Sequence, residues 1–146
     1  MAVTIQVLSG QKLDRVRLRR VARLVMAAEG VEPGAELNVA IGDDAWMQEL
    51  NEKYKGKPTP TDVLSFPQDM VPEGESPILG DIAISGETAQ RQAQELGHSL
   101  LEELEILLTH GVLHLTGWDD GTPPRRRRMM ARTQELLVGS REAEAR

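Results

Sequence analysis

One segment near the C-terminal end is apolar on nearly every side, and it constrains the fold more than any other feature. Between residues 99 and 115, large aliphatic side chains occur around the whole circumference of a helix. They are Leu104, Ile106, Leu107, Leu108, Val112, Leu113 and Leu115. A helix that is hydrophobic all round is buried, and Ser99 followed by Glu102 is a typical start for one. The sequence therefore predicts a central, buried helix.

Two of the three histidines lie on this helix, at His110 and His114. A spacing of four residues places two imidazoles one turn apart on one helix face, where they can bind one metal ion. Gly117 can end the helix, so that the chain folds back and brings Asp120 to the same ion, with Asp119 as the alternative ligand. This set leaves coordination positions open, which favours a catalytic metal. Alternatively, each buried histidine has its own hydrogen-bond partner.

The residue after the first histidine argues against a protease. Zinc proteases of the zincin type carry a glutamate at that position, where it serves as the general base. This chain has Gly111 instead. The metal ligands of such an enzyme are present without the base that peptide hydrolysis requires.

Composition limits the other function classes. A chain of 146 residues has the size of one domain. The absence of cysteine excludes disulfides, thiolate zinc sites and cysteine nucleophiles. No apolar run reaches membrane-spanning length, and the N-terminus does not resemble a signal peptide. The net charge is −6, but basic residues cluster at 15–23, 53–57 and 125–128, which allows a local basic surface.

The spacing of apolar residues predicts a single α+β domain with a small mixed four-stranded sheet covered by about five helices, in the order βαβαββααα. Strands are expected at 3–7, 37–41, 63–66 and 78–85, and helices at 13–28, 44–50, 87–96, 99–115 and 122–138. Residues 67–77 are expected to form a mobile surface loop. The domain is predicted to cover 1–139, followed by a polar tail at 140–146 that frays.

Three motifs in order along the chain resemble the YbeY family of metal-dependent endoribonucleases. They are HGVLHLTGWD at 110–119, TDVLSFP at 61–67 and LGDIAIS at 79–85, with supporting matches at Leu50, Asn51, Tyr54 and 97–99. The resemblance covers nearly the whole chain. It implies cleavage of single-stranded RNA in the cytoplasm, in 3′-end maturation of small-subunit ribosomal RNA and in ribosome quality control. The implied partners are that RNA and the small ribosomal subunit with its factors, and neither a membrane nor DNA is expected.

The resemblance also implies roles for particular residues. His110 and His114 would act in catalysis and hold one zinc ion together with Asp120, which is preferred to Asp119 because the motif places Asp119 one residue before the ligand position. An aspartate ligand also makes manganese or iron possible. Lys55 would contact a substrate phosphate or stabilise charge in the transition state, unless it is an ordinary loop lysine.

Other polar residues are weaker candidates. Four consecutive arginines at the start of a helix oppose its dipole, so Arg125, Arg126 and Arg128 either contact RNA phosphates or form a solvated face. A second set could orient the metal ligands through hydrogen bonds, or could satisfy backbone groups at strand ends and turns. This set is Asp62, Ser65, Asp81 and His98.

Three positions depart from the usual pattern of the family. The family usually has a third histidine in place of Asp120, an arginine in place of Lys55, and acids where the last helix here begins with 125–128. A carboxylate cancels one positive charge of the ion, which should raise the pKa of its bound water and make the activity optimum more alkaline than in three-histidine relatives. These departures leave two alternatives: a ribosome-associated assembly factor with weak or no nuclease activity, and a metallohydrolase of another substrate.

Overall fold

The computed structural model describes residues 1–68 and 78–145, and their secondary-structure elements follow the predicted order. The strands are β1 (Ala2–Val7), β2 (Glu36–Gly42), β3 (Val63–Pro67) and β4 (Ile78–Ser85). The helices are α1 (Arg15–Ala28), α2 (Asp44–Lys55), α3 (Gly86–Leu96), α4 (Leu100–Leu115) and α5 (Pro123–Ala145). The predicted α+β fold is confirmed. The loop predicted at 67–77 lies mostly outside the described residues, because 69–77 are not among them.

The sheet has the strand order β1-β2-β4-β3. β1, β2 and β4 are parallel, and β3 pairs antiparallel with β4. Because β3 is last in the strand order, it is an edge strand. The strand register aligns residues in rows that cross the sheet, and residues of one row share a face. One such row consists of Thr4, Asn38, Asp81 and Phe66.

The two faces of the sheet are covered differently. On the first face, called here the α4 face, buried aliphatic side chains from β1, β2 and β4 pack with α1 and α4, and α5 packs behind them. The strand residues of this core are Val3, Ile5, Leu37, Val39, Ile41, Ile82 and Ile84. On the opposite face, called here the α2 face, Met47 of α2 packs with Leu64 and Ala83. Thr4 and Asn38 are exposed on this second face.

α4 is the central helix that the sequence predicts. Its first turn is capped by Ser99, whose hydroxyl accepts a hydrogen bond from the Glu102 N–H at 3.1 Å. Gly111 lies against β4, where a Cβ atom would be only 2.8 Å from Ile82 Cδ1. This glycine therefore allows the helix to approach the sheet closely. The same crowding explains why the glutamate of a zincin protease has no room at this position.

The last helix is longer than predicted. The sequence predicts its end near Val138, whereas α5 continues to Ala145 and includes residues 140–145 of the predicted tail. Gly139 does not end the helix, since its backbone does not adopt the left-handed conformation of a glycine stop. Ser140 is buried, and the residues at 141–145 have high helix propensity. Burial and propensity together carry the helix past the predicted end. No helix in the described ranges is both long and apolar enough to cross a membrane.

Candidate metal centre

His110 and His114 lie in the last two turns of α4 and differ in exposure. The Nε2 atom of His110 is buried and has no hydrogen-bond partner among the described residues. The His114 side chain is 32% exposed. Leaving a buried ring nitrogen unpaired costs free energy, and a metal ion is a partner that would satisfy it. A separate hydrogen-bond network, the predicted alternative, is not found at this nitrogen.

The surroundings of His110 keep its imidazole neutral. Burial lowers the pKa of His110, the carboxylate of Asp62 raises it, His114 lowers it, and Asp120 raises it. Burial is the largest of these effects, so the pKa lies below its ordinary value. A neutral imidazole is the form that binds a metal.

The turn after α4 holds its two aspartates in different ways. Asp119 accepts hydrogen bonds from the Gly121 N–H and from Arg125 Nη1, each at 2.6 Å. The Oδ2 atom of Asp120 lies 3.7 Å from Nε2 of His114. Asp119 is therefore engaged in the turn and in an ion pair, whereas the Asp120 carboxylate lies beside the His114 ring.

Within residues 1–68 and 78–145, no three His, Asp, Glu or Cys side chains converge closely enough to hold a metal ion as they stand. The chemistry of the donors nevertheless suits a divalent transition metal. They comprise a buried imidazole with an unpaired nitrogen, a second imidazole one turn away, and the Asp120 carboxylate beside it. The Asp120 side chain is 54% exposed, so solvent rather than neighbouring side chains surrounds it. These donors fit the metal ion that the sequence predicts.

Two of the four predicted supporting residues lie at this centre. The charge of Asp62 acts on His110, and Gln92 Nε2 donates to the Asp62 carboxylate at 3.3 Å. Ser65 Oγ donates to the carbonyl oxygen of Gly111 at 3.1 Å. β3 is thus tied to α4 at the residue that follows His110.

The other two candidate supporting residues do not lie beside the two histidines. Asp81 pairs with Phe66 on the α2 face, and the sheet separates it from α4. Side chains alternate along a strand, and in β4 it is Ile82 that faces α4. His98 lies before the first turn of α4, where its Nε2 is 3.2 Å from Oε2 of the buried Glu103. It is therefore at the opposite end of α4 from the metal centre.

The predicted basic residues divide between the two faces. Lys55 is the last residue of α2, and its Nζ lies 5.7 Å from the centre of the Phe66 ring, on the α2 side. Arg125 and Arg128 instead line a hollow of about 490 Å³ beside the turn after α4. Arg126 is exposed but is not part of the lining of that hollow.

Glu29 at the end of α1 belongs to none of the three motifs, yet it supports the turn after α4. Its carboxylate accepts hydrogen bonds from Trp118 Nε1 at 3.1 Å and from Arg132 Nε at 2.8 Å. One carboxylate thus joins the end of α1, the turn after α4, and α5. No local pattern could reveal this role, because the partners are 89 and 103 residues away.

Several known proteins that resemble this chain carry the same name. The family model described as Endoribonuclease YbeY matches residues 5–140. A protein of Thermobifida fusca named Endoribonuclease YbeY is 41% identical over 149 aligned residues, which cover 98% of this chain and 96% of the relative. One of Symbiobacterium thermophilum with the same name is 47% identical, with 84% and 83% covered. The chain belongs to the YbeY family. The resemblance predicted from the sequence is confirmed.

A solved structure agrees with this YbeY fold. A Thermotoga maritima protein studied in solution superposes with a TM-score of 0.59, covering 96% of this chain and 93% of that one. The two sequences are 22% identical, so this likeness concerns the fold alone.

The three motifs that mark the YbeY family meet around α4 in this chain. The segment 110–119 carries both histidines. The segment 61–67 supplies Asp62 and Ser65 beside them. The segment 79–85 supplies Ile82, on which Gly111 packs. Residues far apart in the sequence therefore form one centre.

Proposed function

We propose that this chain is a metal-dependent endoribonuclease that cleaves single-stranded RNA, with the 3′ end of small-subunit ribosomal RNA as its substrate and ribosome quality control as its setting. It would act in the cytoplasm, with the small ribosomal subunit and its factors as partners. Membership of the YbeY family supports the endoribonuclease activity. The observation that carries metal dependence is the buried Nε2 of His110, which lies one turn from His114 and has no hydrogen-bond partner in the described part of the chain.

In this proposal His110, His114 and Asp120 hold one ion. Zinc is the preferred metal, and the oxygen ligand of the aspartate also suits manganese or iron. When bound, such an ion polarises a phosphodiester and lowers the pKa of adjacent water. The chain itself keeps His110 neutral by burial. It also fixes the helix through the hydrogen bond from Ser65 to the Gly111 carbonyl, so that the two imidazoles keep their spacing.

The substrate backbone would be held beside the centre by Arg125 and Arg128. Both line the hollow next to the turn after α4, and their spacing of three residues places them on one helix face. Lys55, on the α2 side of the sheet, would contact a phosphate away from the histidines rather than the one that is cleaved.

Replacing Arg128 by glutamine is expected to weaken binding of single-stranded RNA and to reduce the slope of log Kobs against log salt by about 0.7, because one phosphate contact is lost. The measurement is RNA binding in a salt series. Arg127 belongs to the same arginine run and does not line the hollow, so Arg127→Gln is the matched control. Equal slopes for the two variants would contradict the assignment of Arg128.

Replacing Asp120 by alanine tests the proposed function most directly. Loss of a metal ligand is expected to lower metal affinity by more than about 100-fold and to lower RNA cleavage with it. Mutation of a residue that only supports a ligand already lowers metal affinity by up to about 100-fold, so loss of a ligand itself should cost more. Metal content by mass spectrometry and cleavage of single-stranded RNA are measured on the same preparations. Asp119→Ala is the control and should keep its metal. Retention of both metal and cleavage by Asp120→Ala would overturn the ligand assignment.

Asp120→His gives the complementary result. A neutral imidazole in place of a carboxylate leaves one more positive charge at the centre, so the acid limb of the pH–rate profile should move to lower pH. A profile that overlays that of the parent would remove the basis for expecting an alkaline optimum.

If the parent cosediments with the small subunit but cleaves no RNA with zinc, manganese or iron, the nuclease proposal fails and the assembly-factor alternative replaces it.

A further inference from the structure

A groove of about 430 Å³ lies on the α2 face of the sheet, opposite the metal centre. Part of its floor is the row of Thr4, Asn38 and Asp81, which ends at Phe66 on the edge strand. The neighbouring row contains Ala40 and Ala83. The small alanine side chains leave the space that makes the groove concave.

One wall of the groove is an apolar stripe on α2. Trp46, Leu50 and Tyr54 follow one another at intervals of four residues and all line the groove, as does Phe66. The rings of Tyr54 and Phe66 meet edge to face at 5.2 Å. Because the whole chain has only two tryptophans, one tyrosine and one phenylalanine, three of its four aromatic side chains lie at this groove. Such a concentration favours a ligand with a flat ring.

The floor offers hydrogen-bonding groups that the described residues do not use among themselves. In the described parts of the chain, the side chains of Thr4, Gln6, Asn38 and Asp81 make no hydrogen bond or ion pair. Donors and acceptors beside aromatic rings can read the polar edge of a flat ligand.

Two lysine ammonium groups lie next to aromatic rings that line the groove. Nζ of Lys53 lies 5.2 Å from the centre of the Tyr54 ring, and Nζ of Lys55 lies 5.7 Å from that of the Phe66 ring. These ammonium groups complement a phosphate, and they would repel a basic peptide approaching Asp81. The charge therefore favours a nucleotide over a basic protein segment.

We propose that this groove binds one base of a single-stranded RNA, stacked on the aromatic wall with its edge toward Asn38 and Asp81 and its flanking phosphate at Lys53 and Lys55. The proposal rests on the proposed function and adds a second RNA contact to it.

Consecutive residues of a strand point to opposite faces. In β3, Ser65 contacts α4 and Phe66 lines the groove, so only the edge strand separates the two sites and one RNA strand can pass over it.

The floor also sets a preference among bases. A carboxylate is a hydrogen-bond acceptor only, so Asp81 matches a base that presents an amino group on its edge. Adenine, cytosine and guanine carry such a group, whereas uracil offers only its N3–H there, and the carbonyl oxygens on both sides of that N–H repel a carboxylate. The groove should therefore discriminate against uracil.

Binding of labelled oligo(A), oligo(C) and oligo(U) tests the proposal. Oligomers of about 12 nucleotides fall within the range that single-strand sites cover. The full chain is used with chelator and without metal, so that cleavage does not interfere. Tyr54→Ala should weaken binding of oligo(A) and oligo(C) about tenfold, because a base loses its stacking partner. Tyr54→Phe keeps the ring and should bind as the parent does.

Asp81→Asn provides the second readout, because an amide can donate as well as accept. The ratio of oligo(C) to oligo(U) affinity should fall toward one, even if Tyr54→Ala does not fold. Unchanged binding of all three oligomers by the folded variants would overturn the proposal. It would do so even if the same variants had lost binding of a protein partner. Because the assay contains no metal, binding that the variants leave unchanged and an absence of metal-dependent cleavage in the parent are separate results, so the groove and the proposed nuclease function can fail independently.

Discussion

Replacing His110 by alanine is expected to abolish metal binding and to lower metal-dependent RNA cleavage by more than about 100-fold, because a catalytic metal supplies several kcal/mol of charge stabilisation. Among the three proposed ligands, His110 is the one whose side chain has no other assigned role. Its Nε2 is buried without a partner among the described residues, and burial keeps the ring neutral. The measurements are metal content, cleavage of single-stranded RNA and thermal unfolding with and without zinc.

The third histidine provides the matched control for this experiment. His98 pairs with Glu103 at the other end of α4, so His98→Ala should keep both its metal and its cleavage activity. Since a ligand that binds only the folded state raises the melting temperature, zinc should stabilise the parent and His98→Ala but not His110→Ala. A zinc-dependent rise that survives in His110→Ala would show that the ion binds elsewhere.

Replacing Asp44 by alanine is expected to lower the free energy of unfolding by about 2–4 kcal/mol, since hydrogen bonds to a charged group contribute roughly 1.5–3 kcal/mol and removing the shared acceptor leaves donors unpaired. Asp44 accepts hydrogen bonds from Ser85 at 2.5 Å, Thr88 at 2.6 Å and Arg91 at 2.8 Å. It thereby joins the first turn of α2 to the end of β4 and the start of α3. Urea unfolding measures the loss. Glu49→Gln, on the exposed side of the same helix, should change stability little.

The contribution of Asp44 should also depend on pH. Burial by itself raises the pKa of Asp44, but the hydrogen bonds from Ser85, Thr88 and Arg91 outweigh burial and hold the pKa below its ordinary value. A carboxyl group whose pKa is lower in the folded state adds stability that is fully present above the unfolded pKa, about 3.9. That stability is lost as pH falls through the folded value. The difference between the parent and Asp44→Asn should therefore be constant near neutral pH and shrink below about pH 4. A constant difference at all pH values would contradict this account.

The parts of the fold that depend on local pattern could be predicted from the sequence. Alternating Val3 and Ile5 indicated β1, because one face of that strand is buried and the other is open. The apolar circumference and the Ser99 cap indicated α4, which is indeed surrounded by other elements. The histidine pair could be predicted for the same reason, since helix geometry alone places His110 and His114 on one face.

The parts that depend on tertiary contacts could not be predicted in this way. The alternation in β4 separates Asp81 from Ile82, but the sequence does not state which of the two faces α4. His98 follows the motif order of the family, yet its partner is Glu103 rather than the metal centre. α5 continues past Gly139 because Ser140 is buried. In each case the deciding contact involves a neighbour that local sequence does not identify.

During synthesis, the last helix emerges after every other element. Arg132 in that helix holds Glu29, and Glu29 holds Trp118. Until α5 has docked, the turn that carries Asp120 therefore lacks part of its anchor, even though His110 and His114 are already in place on α4. A chain at that stage would consequently carry an unfinished centre, and the capacity to cut RNA would arise only once α5 has packed against the rest of the fold.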